Sequence, residues 1–275
     1  MKDFFGKNAD VLKTKRLFLF DMDGTIYLEN SLFEGVLEML GAIRASGGRF
    51  AFITNNPSRS VKDYIKKLNR LGIKNIDEGN FFTSAQAAII ICREKFGDKL
   101  IYAQGTKSFI KGLKTAGLNV TQKYTDDAAA VLVAFDPEVT GKKLRTTCEM
   151  LTKHDIPYYA TNPDWVCPVE FGYIPDCGSM CVGIAYATGK KPIYIGKPEP
   201  TMILKLMKKY DCTAEETVVV GDRLYTDIAS GNHAGVDTVC VLCGEVTIED
   251  IEKAEGDEVP TFVFEKTCQI VGDKN

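Results

Sequence analysis

Asp21 and Asp23 stand one residue apart, directly after the apolar run Leu17-Phe18-Leu19-Phe20 and directly before Gly24-Thr25. An apolar segment that stops at two acids and a glycine reads as a buried strand ending in a polar turn. Two carboxylates so placed repel each other in a poorly hydrated site, so they need a cation, a proton or a cationic side chain beside them. By itself the D-x-D-G turn suits either catalysis or a solvated cap. A calcium loop of the EF-hand kind is excluded, because Ile26 and Leu32 occupy the positions where it requires a glycine and a closing glutamate.

Three later stretches offer the partners. Thr54-Asn55-Asn56 closes the run Phe50-Ala51-Phe52-Ile53 with a hydroxyl, amides and backbone N–H groups, which suit either an anion or a local Asx turn. Lys197, between Gly196 and Pro198, either neutralises a phosphate or faces solvent. Asp222 and Asp227 flank the turn after Val218-Val219-Val220-Gly221. Each is a helix cap or, converging with Asp21, part of an oxygen-only site of the kind that holds Mg²⁺.

Parallel β-α units are needed to bring such strand ends together. Val36, Leu37, Leu40 and Ile43 mark a helix face that Gly47-Gly48 ends, Arg49–Thr54 reads as a strand, and Val61, Ile65 and Leu68 return to the helical period. From about residue 81 a separate alternation begins, with helices near 84–96, 106–116, 142–153 and 179–188, and strands near 100–103, 130–135 and 157–160. A loop fills 161–178. The first pattern resumes with a strand at Lys191–Ile195 and a helix bearing Ile203, Leu204 and Met207, followed by Thr217–Val220. Strands at Thr238–Leu242 and Thr261–Phe264 complete the sheet. The expectation is an α/β fold, a Rossmann-like parallel-sheet core built from 1–80 and 191–275, with a smaller α/β domain inserted at 81–190.

The bulk composition narrows the function classes. A chain of 275 residues that is 45% hydrophobic can bury a sizeable core. With 37 acidic and 34 basic residues it carries a formal charge of −3, without the basic surplus that nucleic-acid binding demands. No apolar run approaches the ~18 residues of a membrane span, and the first residues lack a signal-peptide core; the expectation is a cytoplasmic protein without a membrane partner. Nine cysteines, an odd number, favour reduced thiols. The Cys240-x-x-Cys243 pair lies in an apolar run without a second ligand pair and reads as strand.

In this order, Asp21-Met22-Asp23-Gly24-Thr25, Thr54, Gly196-Lys197-Pro198 and Gly221-to-Asp227 resemble the four motifs of the haloacid dehalogenase-like (HAD) phosphatases. The middle block, with Ala160-to-Asp164 and Cys177-Gly178-Ser179-Met180, resembles the large α/β cap of the NagD-type, or 4-nitrophenylphosphatase-like, branch. The resemblance implies a phosphatase in which Asp21 attacks phosphorus to form an aspartyl-phosphate and Asp23 moves the protons. It implies Mg²⁺ on Asp21, the Asp23 backbone carbonyl and Asp222, with Asp227 orienting Lys197 or a water. Thr54, the Asn55 N–H and Lys197 would cradle the phosphate. Asn162, Asp164, Asp176 and Ser179, with Trp165, would meet the substrate from a cap able to close over it, although branch members often carry glycine at the position of Asp176. The implied partner is a small phosphorylated metabolite of nucleotide, sugar phosphate, phosphoglycolate or aryl type, and a homo-oligomer through the cap accompanies it. A phosphomutase or phosphotransferase sharing the aspartyl-phosphate is the alternative enzyme, and a non-catalytic α/β binding protein the alternative class.

Overall fold

The computed structural model describes residues 1–169 and 171–272. The chain divides into two compact units, one made of residues 1–54, 65–82 and 197 onward, the other of 55–64 and 83–196.

The first unit is built on a six-stranded sheet in the order Phe262–Phe264, Asp237–Val241, Thr217–Gly221, Leu17–Phe20, Arg49–Thr54, Phe81–Thr83. Leu17–Phe20 lies in its interior and is buried along its whole length, which explains an uninterrupted apolar run instead of an alternating one. Leu17 and Leu19 face one side, in a cluster with Ala51, Ile53, Val219 and the helix residues Ile203 and Leu206. Phe18 and Phe20 stack on the other side, ring centroids 6.3 Å apart, and burying each such side chain is worth about 1.5–3 kcal/mol. The ladders are parallel and in phase: Phe20 pairs with Val220 on one side and with Phe52 on the other. Asp21, Thr54 and Asp222 therefore emerge at the same edge, the carboxyl ends of three neighbouring strands.

Two helix faces differ from the sequence expectation by one position. Along Val36–Ala45 the buried stripe is Val36, Met39, Leu40 and Ile43, while Leu37 is exposed. Along Thr201–Tyr210 it is Met202, Ile203 and Leu206, and Leu204 is exposed. In each case the neighbouring apolar residue sits about 100° around the helix and leaves the stripe.

The second unit has its own five-stranded sheet, ordered Ile193–Tyr194, Tyr158–Ala160, Ala130–Val133, Ile101–Gln104, Val120–Thr121, with every pair parallel. Its core joins Tyr102, Val131, Val133, Met150, Leu151, Tyr158 and Ile184. Ile193–Tyr194, expected to resume the first sheet, instead pairs with Tyr158–Ala160. A two-residue edge strand with Ile193 exposed carries no pattern that tells which sheet it joins. The expected loop at 161–178 contains two strands, Val166–Val169 and Gly172–Pro175, paired antiparallel. Among the described residues all nine cysteines are free thiols, and no helix is long and apolar enough to cross a membrane.

Candidate active site at the strand ends

Asp21 leaves its strand with the backbone N–H still donating to Val220 O (2.9 Å), so the carboxylate starts from a fixed point on the sheet. Lys197, the first residue of the returning segment, reaches it: Nζ lies 2.5 Å from Asp21 Oδ1, 2.5 Å from Asp227 Oδ1 and 3.4 Å from Ile53 O. The lysine is buried, as are all three acids Asp21, Asp222 and Asp227.

Asp222 is held by two donors, Thr25 Oγ1 to Oδ1 (3.0 Å) and the Glu245 N–H to Oδ2 (2.9 Å). Glycines make this approach possible. A Cβ on Gly24 would stand 2.3 Å from Asp222 Oδ2, and one on Gly244 would stand 2.0 Å from it, far inside any van der Waals contact. Gly24 also has φ +89°, a conformation glycine adopts without steric cost. Asp227 lies in the single π-helical turn Leu224–Ile228, accepting from the Arg223 N–H at 3.1 Å. Arg223 in turn pairs with Glu245 at 2.8 Å.

The charges in this cluster do not balance. Burial pushes the Asp21 carboxyl well above the usual range, Lys197 pulls it back, and Asp227 and Asp222 push it further up. Burial, then Asp227, raises Asp222 to about 7, against the pull of Arg223 and of the two donors. Burial opposes the Lys197 ammonium, but Asp21 and Asp227 together outweigh it and leave its pKa raised. Ligand oxygens of Asp21, Asp222 and Asp227 all lie within 4.8 Å of one another. Three acids face one ammonium, an excess of two negative charges when all are ionised. An oxygen-only donor set with that excess fits a hard dication.

The remaining expected residues fall into three places. The Asp23 carboxylate stands apart from the metal-type cluster, half-buried, with Tyr27 OH 3.3 Å from Oδ2 and Lys67 Nζ 4.0 Å from Oδ1. Thr54 is buried at the end of its strand. Asn55, the next residue, belongs to the second unit and donates from Nδ2 to Asp164 Oδ2 (2.7 Å). Asn162 joins that network, donating to Asp164 Oδ2 at 2.8 Å and to Asp176 Oδ1 at 2.9 Å. Asp176 caps the helix Cys177–Thr188, and Ser179 Oγ donates to Trp165 O. Within the second unit these side chains thus form a hydrogen-bonded network, with Asn162, Asp164 and Asp176 buried.

Sequence reasoning passed over Thr25 as a donor, and over Gly244 and Glu245 entirely. A signal was present: Cys243-Gly244-Glu245 follows the apolar strand Asp237–Val241 within two residues, the same strand-then-glycine-and-acid order as at Gly221-Asp222.

Comparison with known proteins gives the family. Residues 18–119 match the family described as haloacid dehalogenase-like hydrolase, and residues 194–273 match a second, HAD-hydrolase-like description. The ribonucleotide monophosphatase NagD of Escherichia coli K12 is 32% identical over 91% of this chain and 96% of its own. The crystal structure of a 4-nitrophenylphosphatase from Thermotoga maritima superposes with a TM-score of 0.88 at 36% identity, covering 96% of this chain and 98% of that one. A glycerol phosphate phosphatase from Mycobacterium tuberculosis, solved in complex with magnesium, gives 0.87 at 27% identity over 99% of this chain and 80% of that one. The chain belongs to the haloacid dehalogenase-like hydrolases. Within them it is a phosphoric monoester hydrolase of the NagD, or 4-nitrophenylphosphatase-like, branch.

Proposed function

We propose that the chain is a Mg²⁺-dependent phosphatase of small-molecule phosphate monoesters, of nucleotide, sugar phosphate, phosphoglycolate or aryl type, working through an aspartyl-phosphate on Asp21. The observation that carries this reading is the contact of one buried ammonium, Lys197, with Asp21 and Asp227 at the strand edge, beside Asp222. Such a cluster needs a further dication, and with it can accept a phosphate dianion next to a nucleophilic carboxylate.

In the first step an Asp21 oxygen attacks phosphorus. The bond from phosphorus to the departing oxygen breaks, its electron pair goes to that oxygen, and the oxygen takes the proton of the Asp23 carboxyl. In the second step Asp23, now a carboxylate, takes a proton from water as the water oxygen attacks phosphorus. The Asp21–phosphorus bond breaks and inorganic phosphate leaves. Thr54 and the Asn55 N–H complete the hold on the phosphate oxygens, and Lys197 opposes their charge. Mg²⁺ held by Asp21, Asp222 and the Asp23 backbone carbonyl would supply Lewis-acid offset of the same charge, with Asp227 keeping Lys197 in place. The uncatalysed reaction is among the slowest known, with enzymatic accelerations of up to about 10²¹-fold, so nucleophile, acid, cation and clamp all have a share to supply.

The test is release of inorganic phosphate from 4-nitrophenyl phosphate with Mg²⁺ present. EDTA should abolish it and added Mg²⁺ restore it, and Asp21→Asn should lower kcat by about 10³-fold or more. Full turnover in EDTA, or in Asp21→Asn, removes the proposal.

A further inference from the structure

Lys67 is out of place by every local rule. It lies in the helix Val61–Arg70, and from Ile65 onward it and Leu68 are the helix's buried residues. The position is one where the helical period calls for an apolar side chain. A lysine there normally runs its stem along the core and lifts its ammonium into water, yet this side chain is only 10% exposed. A buried ammonium persists where other groups hold it. Two of the groups found here belong to the turn that carries Asp23: the Tyr27 ring, whose centroid lies 3.5 Å from Nζ, and Asp23 Oδ1 at 4.0 Å. Tyr27 is fully buried, its hydroxyl 3.3 Å from Asp23 Oδ2. The turn is closed by the Gly24 N–H donating to Tyr27 O at 2.9 Å. The carboxylate of Asp23 is thus addressed on one oxygen by a phenol and on the other by an ammonium that rests on the same phenol ring.

We propose that Lys67 and Tyr27 are positioning residues that fix the Asp23 carboxyl in the orientation from which it hands its proton to the departing oxygen. They act through Asp23, whose two carboxylate oxygens they address. The inference rests on the reading of Asp23 as the acid of the first step. In that step the proton passes from Asp23 to the departing oxygen while the phosphorus–oxygen bond breaks, and negative charge appears on the carboxylate between the two groups that hold it.

General-acid help matters in proportion to the basicity of the leaving group, so the consequence is a selective loss. The probes are 4-nitrophenyl, phenyl and benzyl phosphate, which share one ring and differ in the oxygen that departs, and kcat/KM reports aspartyl-phosphate formation. General acids contribute about 10²–10⁴-fold. Losing only the hold on one should cost Lys67→Met and Tyr27→Phe about tenfold with benzyl phosphate and within about twofold with 4-nitrophenyl phosphate. Lys67→Arg, which keeps the cation, should recover most of the benzyl phosphate rate. Tyr27→Phe removes a single oxygen from a closed core and carries the same test if Lys67→Met does not fold. Equal losses across the three substrates in Tyr27→Phe and any folded Lys67→Met, while Asp23→Asn is strongly leaving-group dependent, overturn the inference. Absence of that dependence in Asp23→Asn overturns the underlying reading of Asp23 instead.

Discussion

At the scale of single residues, the site is a problem of charge. Lys197 is the one ammonium contacting Asp21 and Asp227 among the described residues, so its location must be fixed from outside the cluster. His233 does part of this: Nδ1 lies 2.9 Å from Pro198 O, the carbonyl next to Lys197, and Nε2 lies 2.5 Å from Asp257 Oδ2. An imidazolium donates to both at once. The Pro198 carbonyl, then Asp257 and Glu199, raise the His233 pKa, with burial opposing. The sign follows from proton linkage. The folded state holds this proton more tightly than the unfolded chain, so the contribution is complete below the ordinary histidine value of about 6.5 and is lost as pH rises through the raised value. The stability difference between the native chain and His233→Gln, from urea midpoints, should be larger at pH about 6 than at pH about 9. Both groups are partly exposed, so the difference is a modest one. An equal difference at both pH values rules out a charged His233 in this bridge.

At the scale of elements, the site is assembled by loops that follow parallel strands. Asp222 touches backbone or side chains from two of them, Gly24-Thr25 after the first strand and Gly244-Glu245 after Asp237–Val241. Gly244→Ala would put a methyl group into the Asp222 carboxylate, so the acid must turn away or the loop must move. Disturbing such supports commonly costs 10- to 100-fold in metal affinity. The Mg²⁺ concentration for half-maximal activity should therefore rise by about tenfold or more in Gly244→Ala, with kcat at saturating metal much less affected; an unchanged Mg²⁺ requirement contradicts this account. This loop also shows what the sequence could and could not convey. Leu17–Phe20 and Thr217–Gly221 are readable because strands buried on both faces become continuous apolar runs, and the acids that end them stand out. The order of strand, glycine and acid marks the place of Gly244-Glu245 but not its role, because Glu245 reaches Asp222 through a backbone N–H that any residue except proline supplies. Phe81–Thr83 escaped notice because a three-residue edge strand runs directly into the helix that Thr83 caps. The antiparallel pairing of Val166–Val169 with Gly172–Pro175 is hard to read because Pro168, Gly172 and Pro175 are loop-like residues that are tolerated in a short antiparallel pair.

At the scale of the whole molecule, each of the two units has a parallel sheet and buried residues of its own, and the groups proposed to hold the ion belong to only one unit. Asp21, Asp23, Lys197, Asp222 and Asp227 all lie in the unit formed by residues 1–54, 65–82 and 197 onward. The core of Tyr102, Val131, Val133 and Tyr158 contains none of them. A ligand that binds only the folded form stabilises whatever must stay folded to hold it, by about 2.7 kcal/mol when its concentration is a hundred times Kd. Each unit has a parallel sheet and a buried core of its own, the properties of a cooperative folding unit. Saturating Mg²⁺ should then slow amide hydrogen exchange about a hundredfold in Leu17–Phe20 and Val218–Val220, where exchange proceeds through opening of the first sheet. Amides of Ala130–Val133 and Ile101–Gln104 should exchange at nearly the rate seen in EDTA. Equal protection of both sheets would mean that the chain opens as one cooperative body. Protection of the second sheet alone would move the ion away from the acids at the strand ends and remove the site assigned to it.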